Sequence, residues 1–270
     1  MGQSHLLKSD GERLFAAYCH QRRLPWEYEP LINGRRPDFL VEHPRRRFVA
    51  EVYEPELRLP TEGAWFSSYP AIRSAFEGRK RRQVAAVKEA GLPYVAVVAR
   101  TNSDIRFDPL TAAGAMFGDL TVVMPIGVPT TEVEAVTTFG GGGRLQPGQM
   151  RGVSAVAILE RFNPTIARVD AAMEEQLSKL PDWSATMTER EIAEITREIG
   201  RIHVDTHEAM IRSGAFDPEA RRARMIVLHN PHATHPLGLD VLNDADDSQW
   251  CAIVDDGVAR YRERGIATTG

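Results

Sequence analysis

RRPDFLVEHPRRRFVAEVYEPE, residues 35–56, is the stretch on which the reading of the fold turns. Two short apolar runs, Asp38 to Val41 and Phe48 to Tyr53, are separated by EHPRR, whose proline and charged residues suit a turn. Two antiparallel strands joined in this way set the start of the first beside the end of the second. Asp38 and Glu51 are therefore expected to converge at one end of a sheet, where a divalent cation could bridge both carboxylates and a phosphate. Mg²⁺ suits such a place, because it needs only one or two carboxylates and takes its other ligands from water and substrate. The backbone carbonyl of Val52 is a further expected ligand.

Working outward, Ser9 or Asp10 can cap a helix running to about Arg23, with Leu14, Phe15, Tyr18 and Cys19 on its apolar face. Trp26 to Leu31 reads as a strand, and NGRRP turns the chain into the quoted stretch. Beyond it, a helix is expected over about 70–90 and a buried strand over 94–99, YVAVVA, the order of a crossover returning to a sheet. Further strands are expected at 120–124, 153–159, 225–231 and near 250–254. The FGGGGR run at 139–144 lacks the G-K-[ST] ending of a phosphate-binding loop and reads as a flexible connection. Residues 165–180 and 188–212 read as helices, the second with Ile192, Ile195, Ile199 and Ile202 at helical spacing. The expected architecture is α/β: one domain over 1–270, its core at about 7–160 and 222–255, with a helical insertion at about 164–220. Its sheet is expected to hold about five strands, with the 38–41 and 48–53 pair central.

Composition narrows the classes. At 270 residues with 43% hydrophobic and 26% charged positions, the chain suits a folded globular protein. No run reaches the roughly 18 apolar residues of a membrane span, and the N-terminus has no signal-type pattern, so a cytoplasmic protein with no membrane partner is expected. Cys19 and Cys251 stand far apart and outside any C-x-x-C context, which argues against a disulfide framework and a thiolate zinc site. The net charge of -4 conceals an asymmetry, because residues 1–100 hold 17 Lys/Arg against 12 Asp/Glu while the remainder holds 16 against 25. Arg22-Arg23, Arg35-Arg36, Arg45-Arg46-Arg47 and Arg79-Lys80-Arg81-Arg82 could neutralise phosphates; the alternative is a set of solvated faces.

The order of these pieces resembles the PD-(D/E)xK, or restriction-endonuclease-like, nuclease superfamily over about residues 7–100. It comprises a helix carrying Glu12, strands carrying Pro37-Asp38 and Glu51-Val52-Tyr53, a long helix and another strand. HNPHA at 229–233, with Pro236-Leu237, also resembles the final strand and tail of bacterial members. The resemblance implies a restriction-endonuclease-like mixed sheet flanked by helices and hydrolysis of DNA with Mg²⁺ or Mn²⁺. It also implies Asp38 and Glu51 as metal ligands and Glu12 as a supporting acid. Tyr53 stands in the position of the superfamily's lysine, and a phenol of ordinary pKa about 10 offers no positive charge. Members of the superfamily can carry that lysine on the following helix. There Lys80 and Gln83 fall on the same stripe as Ile72, Phe76, Val84 and Val87, which makes Lys80 the expected substitute. The alternative is a Lys80 that lays its stem on the core and keeps its ammonium in water.

Three classes of function remain open: a Mg²⁺-dependent DNA endonuclease or exonuclease in defence or repair, a catalytically degenerate nuclease fold that binds nucleic acid or protein, and a metal hydrolase using histidines. For the last, His203 and His207 lie four apart, and His229, His232 and His235 recur every third residue. Neither group has a general base in a motif such as H-E-x-x-H. The helices at 164–220 are the expected surface for a homodimer or a protein partner.

Overall fold

A computed structural model of the chain describes residues 6–54, 81–101, 109–118, 120–123, 136–139, 143–145, 148–180, 187–217, 219–243, 247–255 and 258–264. The elements are α1 (Asp10–Gln21), β1 (Trp26–Tyr28), β2 (Phe39–Val41), β3 (Phe48–Tyr53), α2 (Arg81–Glu89), β4 (Tyr94–Arg100), α3 (Pro109–Phe117), β5 (Leu120–Val123), β6 (Val136–Phe139), β7 (Ala155–Phe162), α4 (Ile166–Leu177), α5 (Glu189–Arg212), β8 (Arg222–His229), β9 (Ser248–Asp255) and β10 (Val258–Arg264). The chain divides into two compact units, Met1–Arg161 with Ala223–Gly270, and Phe162–Arg222.

The first unit is α/β, built on a mixed sheet in the order β1-β2-β3-β4-β7-β8-β9-β10. β1, β2 and β3 are antiparallel neighbours, β3-β4 and β4-β7 are parallel, β8-β9 is parallel and β9-β10 antiparallel. Arg224 meets Glu160, and the Asn230 amide meets the Ser154 carbonyl, so β8 runs antiparallel to β7. The sheet therefore has eight strands rather than about five, and the β2-β3 pair lies second and third in the order rather than centrally. β5 joins β6 in a separate two-stranded sheet. β1 stops at Tyr28 because Glu29 turns to φ 48°, a left-handed value that no strand continues.

Side-chain alternation divides the core into two faces. Phe48 and Ala50 of β3, Val95, Val97 and Ala99 of β4, and Ala155, Ala157 and Leu159 of β7 join Leu14, Phe15, Tyr18 and Cys19 of α1. Val49, Tyr94, Ala96, Val98, Val156 and Ile158 face the other way, onto Val87 of α2 and Ala113, Met116 and Phe117 of α3. Strands covered on both faces read as near-continuous apolar runs, as YVAVVA does.

α1 is fastened to the antiparallel edge by aromatic packing. Phe39 lies 4.8 Å from Phe15, 5.4 Å from Trp26 and 5.5 Å from Tyr28, centroid to centroid. Burying a ring of this size contributes about 1.5–3 kcal/mol. The first turn of α1 comes so close to the sheet that a Cβ on Gly11 would sit 2.9 Å from Ala99 Cβ and 3.2 Å from Val52 Cγ1. Only glycine fits there, and its neighbour Glu12 is carried to the edge of the motif strands. The glycine run ends in a contact of the same kind. A Cβ on Gly143 would fall 2.2 Å from the Phe117 carbonyl oxygen, and the Arg144 and Leu145 amides donate to the Met116 carbonyl at 2.7 and 2.8 Å. The C-terminal end of the run thus docks on the end of α3, where the sequence suggests a flexible connection.

In the second unit, α4 and α5 pack together, and α5 opens with a capping box in which Thr188 and Glu191 exchange hydrogen bonds. Among the described residues, no helix is long and apolar enough to cross a membrane.

Candidate functional site

β2 and β3 pair with Phe39 opposite Ala50, Leu40 opposite Val49 and Val41 opposite Phe48. One step further along that register, Asp38 faces Glu51, and a second step sets Pro37 against Val52. Directly opposed residues project to the same face of a sheet with Cβ atoms about 4.5–5.5 Å apart, so the two carboxyl groups are gathered at one place. Each also binds the other strand's backbone. The Val52 N–H donates to Asp38 Oδ2 at 2.8 Å, and the Asp38 N–H donates to Glu51 Oε2 at 3.3 Å. Glu51 is fully buried, and Asp38 is half-buried.

Pro37 removes the ladder donor that would face the Val52 carbonyl. The Val49 N–H points to β4, where it meets the Pro93 carbonyl at 2.9 Å, so the peptide groups of Ala50 and Val52 point to β2. Opposite Val52 the chain has a proline, which has no N–H to give to the Val52 carbonyl. The ladder ends there, and the Val52 carbonyl is directed to the side on which the Asp38 carboxylate already sits. The Asp38 and Glu51 carboxylates therefore lie at the end of the strand pair, with the Val52 peptide group beside Asp38.

The segment leading into Asp38 is held from two sides. Ile32 and Arg35 exchange both backbone hydrogen bonds, at 2.8 and 2.9 Å, around Asn33 and Gly34, whose φ values of 46° and 74° make the two-residue turn that an Asn-Gly pair favours. Asn33 Nδ2 donates to the Ala86 carbonyl at 3.0 Å, and Gln83 Nε2 donates to the Arg36 carbonyl at 3.0 Å, both from α2. Gln83 thus anchors the residue two before Asp38.

Tyr53 follows Glu51 on the same face. In register it lies opposite Val98, whereas Tyr94 lies opposite Val49, so the two rings must lie along the sheet to meet as they do, with hydroxyls 3.1 Å apart. Burial pushes the Tyr53 phenol up to about 12, with the Asp38 charge adding to the shift and the Tyr94 hydroxyl working against it. Burial likewise holds Tyr94 well above the ordinary tyrosine range. At neutral pH this pair is uncharged, so position 53 holds no cation. Lys80 lies outside the described residues.

On the α1 side, Glu12 is buried and closes the helix's capping box: its Oε2 accepts from the Ser9 N–H at 3.2 Å, the Lys8 N–H at 2.5 Å and the Tyr28 hydroxyl at 3.0 Å. That gives Glu12 a structural role beside the motif. Three neighbours were not anticipated from the sequence. Lys8 forms an ion pair with Glu29, which is hydrogen-bonded to Asp38 across β1 and β2 through its own N–H at 2.9 Å. The Glu29 carboxylate holds the Lys8 ammonium above the ordinary lysine value, with Glu12 and Asp38 pulling the same way. Glu54, just past Tyr53, accepts from the Gly11 N–H at 3.2 Å and so lies at the N-terminus of α1, where the helix dipole favours an anion. The signal for Glu54 was its place as the next acid after the E-V-Y motif.

The basic clusters divide into distinct environments. Arg22 is buried in an ion pair with Asp247 at 2.8 Å and stacks on the Tyr18 ring at 3.8 Å, so it is neither a phosphate contact nor part of a solvated face. Arg45 pairs with Asp240, Arg46 donates to the Pro236 carbonyl at 3.0 Å, and Arg47 lies 3.7 Å from Glu42. Arg81 and Arg82, at the start of α2, are exposed, as are Arg35 and Arg36. A second ionic group lies at the strand ends: Glu160 of β7 binds Arg100 of β4 at 2.8 Å and Arg224 of β8 at 2.6 Å. The histidines are dispersed. His203 and His207 lie tilted against each other on α5, centroids 4.7 Å apart, His229 is buried against Gln249, and His235 meets the Lys88 carbonyl at 3.0 Å. Among the described residues no three His, Cys, Asp or Glu side chains form a metal-holding group.

The chain matches no family model, no curated protein and no solved structure. Its chemistry rests on this geometry.

Proposed function

We propose that the chain is a metal-dependent phosphodiesterase acting on DNA, with a restriction-endonuclease-like core. The observation that carries the reading is the opposition of Asp38 and Glu51 at the point where Pro37 ends the β2-β3 ladder beside the Val52 carbonyl. This donor set is all oxygen, with two carboxylates and one carbonyl, and it suits Mg²⁺ or Mn²⁺ completed by water and a substrate phosphate. The order of an antiparallel β1-β2-β3 edge followed by parallel β4, with α1 on one face and α2 on the other, supports the same relationship.

In this reading Asp38, Glu51 and the Val52 carbonyl hold the cation. When bound, it polarises the phosphoryl group and lowers the pKa of the attacking water. Glu12 and Gln83 position the site, the first through the start of α1 and the second through Arg36. Lys80 orients the water and offsets negative charge, the role for which Tyr53 has no cation. Arg81, Arg82, Arg35 and Arg36 hold the phosphate backbone.

The test is cleavage of duplex and single-stranded DNA with Mg²⁺ or Mn²⁺. Weak, metal-dependent cleavage is expected, abolished by Asp38→Ala or Glu51→Ala and strongly reduced by Lys80→Ala. A second reading is favoured by one observation, the uncharged Tyr53-Tyr94 pair where the lysine would stand. It is a degenerate nuclease fold that binds DNA without cutting. Salt-sensitive DNA binding, weakened by charge reversal at Arg79, Arg81 and Arg82 and accompanied by no cleavage under either metal, would select it.

A further inference from the structure

α5 has two apolar faces, and one of them holds buried residues. Ile192, Ile195, Ile199 and Ile202 lie on one side of the helix, with Ile195 and Ile202 buried. At about 100° per residue, Ala193, Gly200, Val204 and Ile211 fall together on the opposite side. All four are exposed, and Val204 and Ile211, at 55% and 47%, are among the most exposed large hydrophobic residues of the described chain.

The outer stripe has an internal symmetry. Its members are spaced by seven, four and seven residues, so the stripe reads the same in either direction about Ile202. Laid antiparallel on a copy of itself, it sets Gly200 against Val204 and Ala193 against Ile211 at both ends. Each large side chain then meets a small one, whereas a parallel pairing would stack Val204 on Val204 and leave the glycines facing each other.

Charge follows the same axis. Within α5, Arg190 pairs with Glu194 at 3.1 Å, and Arg201 pairs with Glu198 at 2.5 Å and Asp205 at 2.8 Å. Arg197 and Glu208 flank one edge of the stripe and, among the described residues, make no ion pair. In an antiparallel helix pair, like edges face each other. Five residues before the centre and six after it, Arg197 of one copy and Glu208 of the other are neighbours, twice over. Arg201, closest to the axis, is already neutralised within its own helix.

We propose that α5 is a homodimerisation helix, which packs antiparallel on α5 of a second copy through Ala193, Gly200, Val204 and Ile211, with Arg197-Glu208 pairs across the two-fold. Such an interface is isologous, the commonest way in which soluble chains close an assembly. The helix has 24 residues and is about 36 Å long. One helix pair of that length lies at the small end of specific interfaces, so the dimer is expected to depend on concentration. This inference stands apart from the catalytic reading, and Asp38→Ala should dimerise like the wild type.

Sedimentation equilibrium of the full chain at tens of micromolar tests it. The wild type should associate to a dimer, and Val204→Glu should raise the dissociation constant tenfold or more, about 1.4 kcal/mol. Because Val204 is exposed, circular dichroism should show the same helix content. Arg197→Glu should weaken the dimer, and adding Glu208→Arg should restore it. The variant carrying both Ala193→Cys and Ile211→Cys should form a covalent dimer on mild oxidation under conditions where the wild type, with Cys19 and Cys251, does not. A wild type that stays monomeric overturns the proposal. So does a dimer that Val204→Glu leaves unchanged, and so does a charge reversal that fails to restore association.

Discussion

Asp247, just before β9, and Glu51, within β3, are buried carboxylates of the same sheet unit, and they are surrounded differently. Asp247 accepts from the Tyr18 hydroxyl at 2.7 Å, from Arg22 Nη2 and Nε at 2.8 and 3.1 Å, and from the Met225 N–H at 2.7 Å. It is met by a cation that is itself stacked on Tyr18, a closed network tying α1 to β8 and β9. Glu51 is set opposite another acid, Asp38, and its Oε2 accepts from the Asp38 N–H at 3.3 Å. One arrangement is what a fold uses to hold itself together. The other is the arrangement that, in the proposed reading, would hold a cation.

The largest effect that sharpens this contrast is expected at the structural acid. Asp247→Ala leaves the Arg22 guanidinium buried without its carboxylate, a change that typically costs about 3–5 kcal/mol. Urea unfolding should record that loss. Asp38→Asn and Glu51→Gln keep shape and an acceptor oxygen, so each should stay within about 1 kcal/mol of the wild type while metal-dependent cleavage is lost. If Glu51→Gln unfolds the chain as severely as Asp247→Ala, Glu51 is a structural acid and the contrast fails.

A middle-sized effect is expected at the tyrosine pair. Tyr53→Phe removes one hydroxyl from a partly buried hydrogen bond and should cost about 1 kcal/mol. Cleavage should be unchanged, because the phenol lends no charge to the site. A fall in rate without a fall in stability would return Tyr53 to the chemistry.

The smallest effect is a tilt in stability with pH. Burial holds His229 below the ordinary histidine value of 6.5, with its Gln249 partner pulling the other way. The unfolded chain therefore takes up a proton near pH 6.5 that the folded chain refuses, and stability should fall as pH drops below that value. His229→Gln should flatten the tilt, though only in part, because burial shifts His43 in the same direction. A profile as steep as that of the wild type would place the buried proton acceptor elsewhere.

What the sequence made legible was local. Pro37-Asp38 and Glu51-Val52 could be placed because two apolar runs and a short turn set their own antiparallel pairing. The 94–99 strand was plain from its unbroken apolar run. The Ser9-x-x-Glu12 spacing of a capping box was present too, but Glu12 was read as an acid of the site before it was read as a cap. What stayed hidden depends on distant register. Tyr94 meets Tyr53 only because β3 and β4 pair as they do, and Arg22 meets Asp247 across 225 residues. α3 was missed because PLTAAGAMF is apolar with little polar face, so no helical period stands out. β6 adjoins the glycine run and took on its loop character, and the alternating charges of β10 masked a strand that extends the sheet to eight.

The account rests on one cation held between Asp38 and Glu51, and calorimetric titration of the purified chain with Mn²⁺ tests this most directly. The expected result is one site per chain in the wild type, lost in both Asp38→Asn and Glu51→Gln while urea unfolding shows each variant folded. Binding that persists unchanged in both variants, or a wild type that takes up no Mn²⁺ with or without DNA, would contradict it.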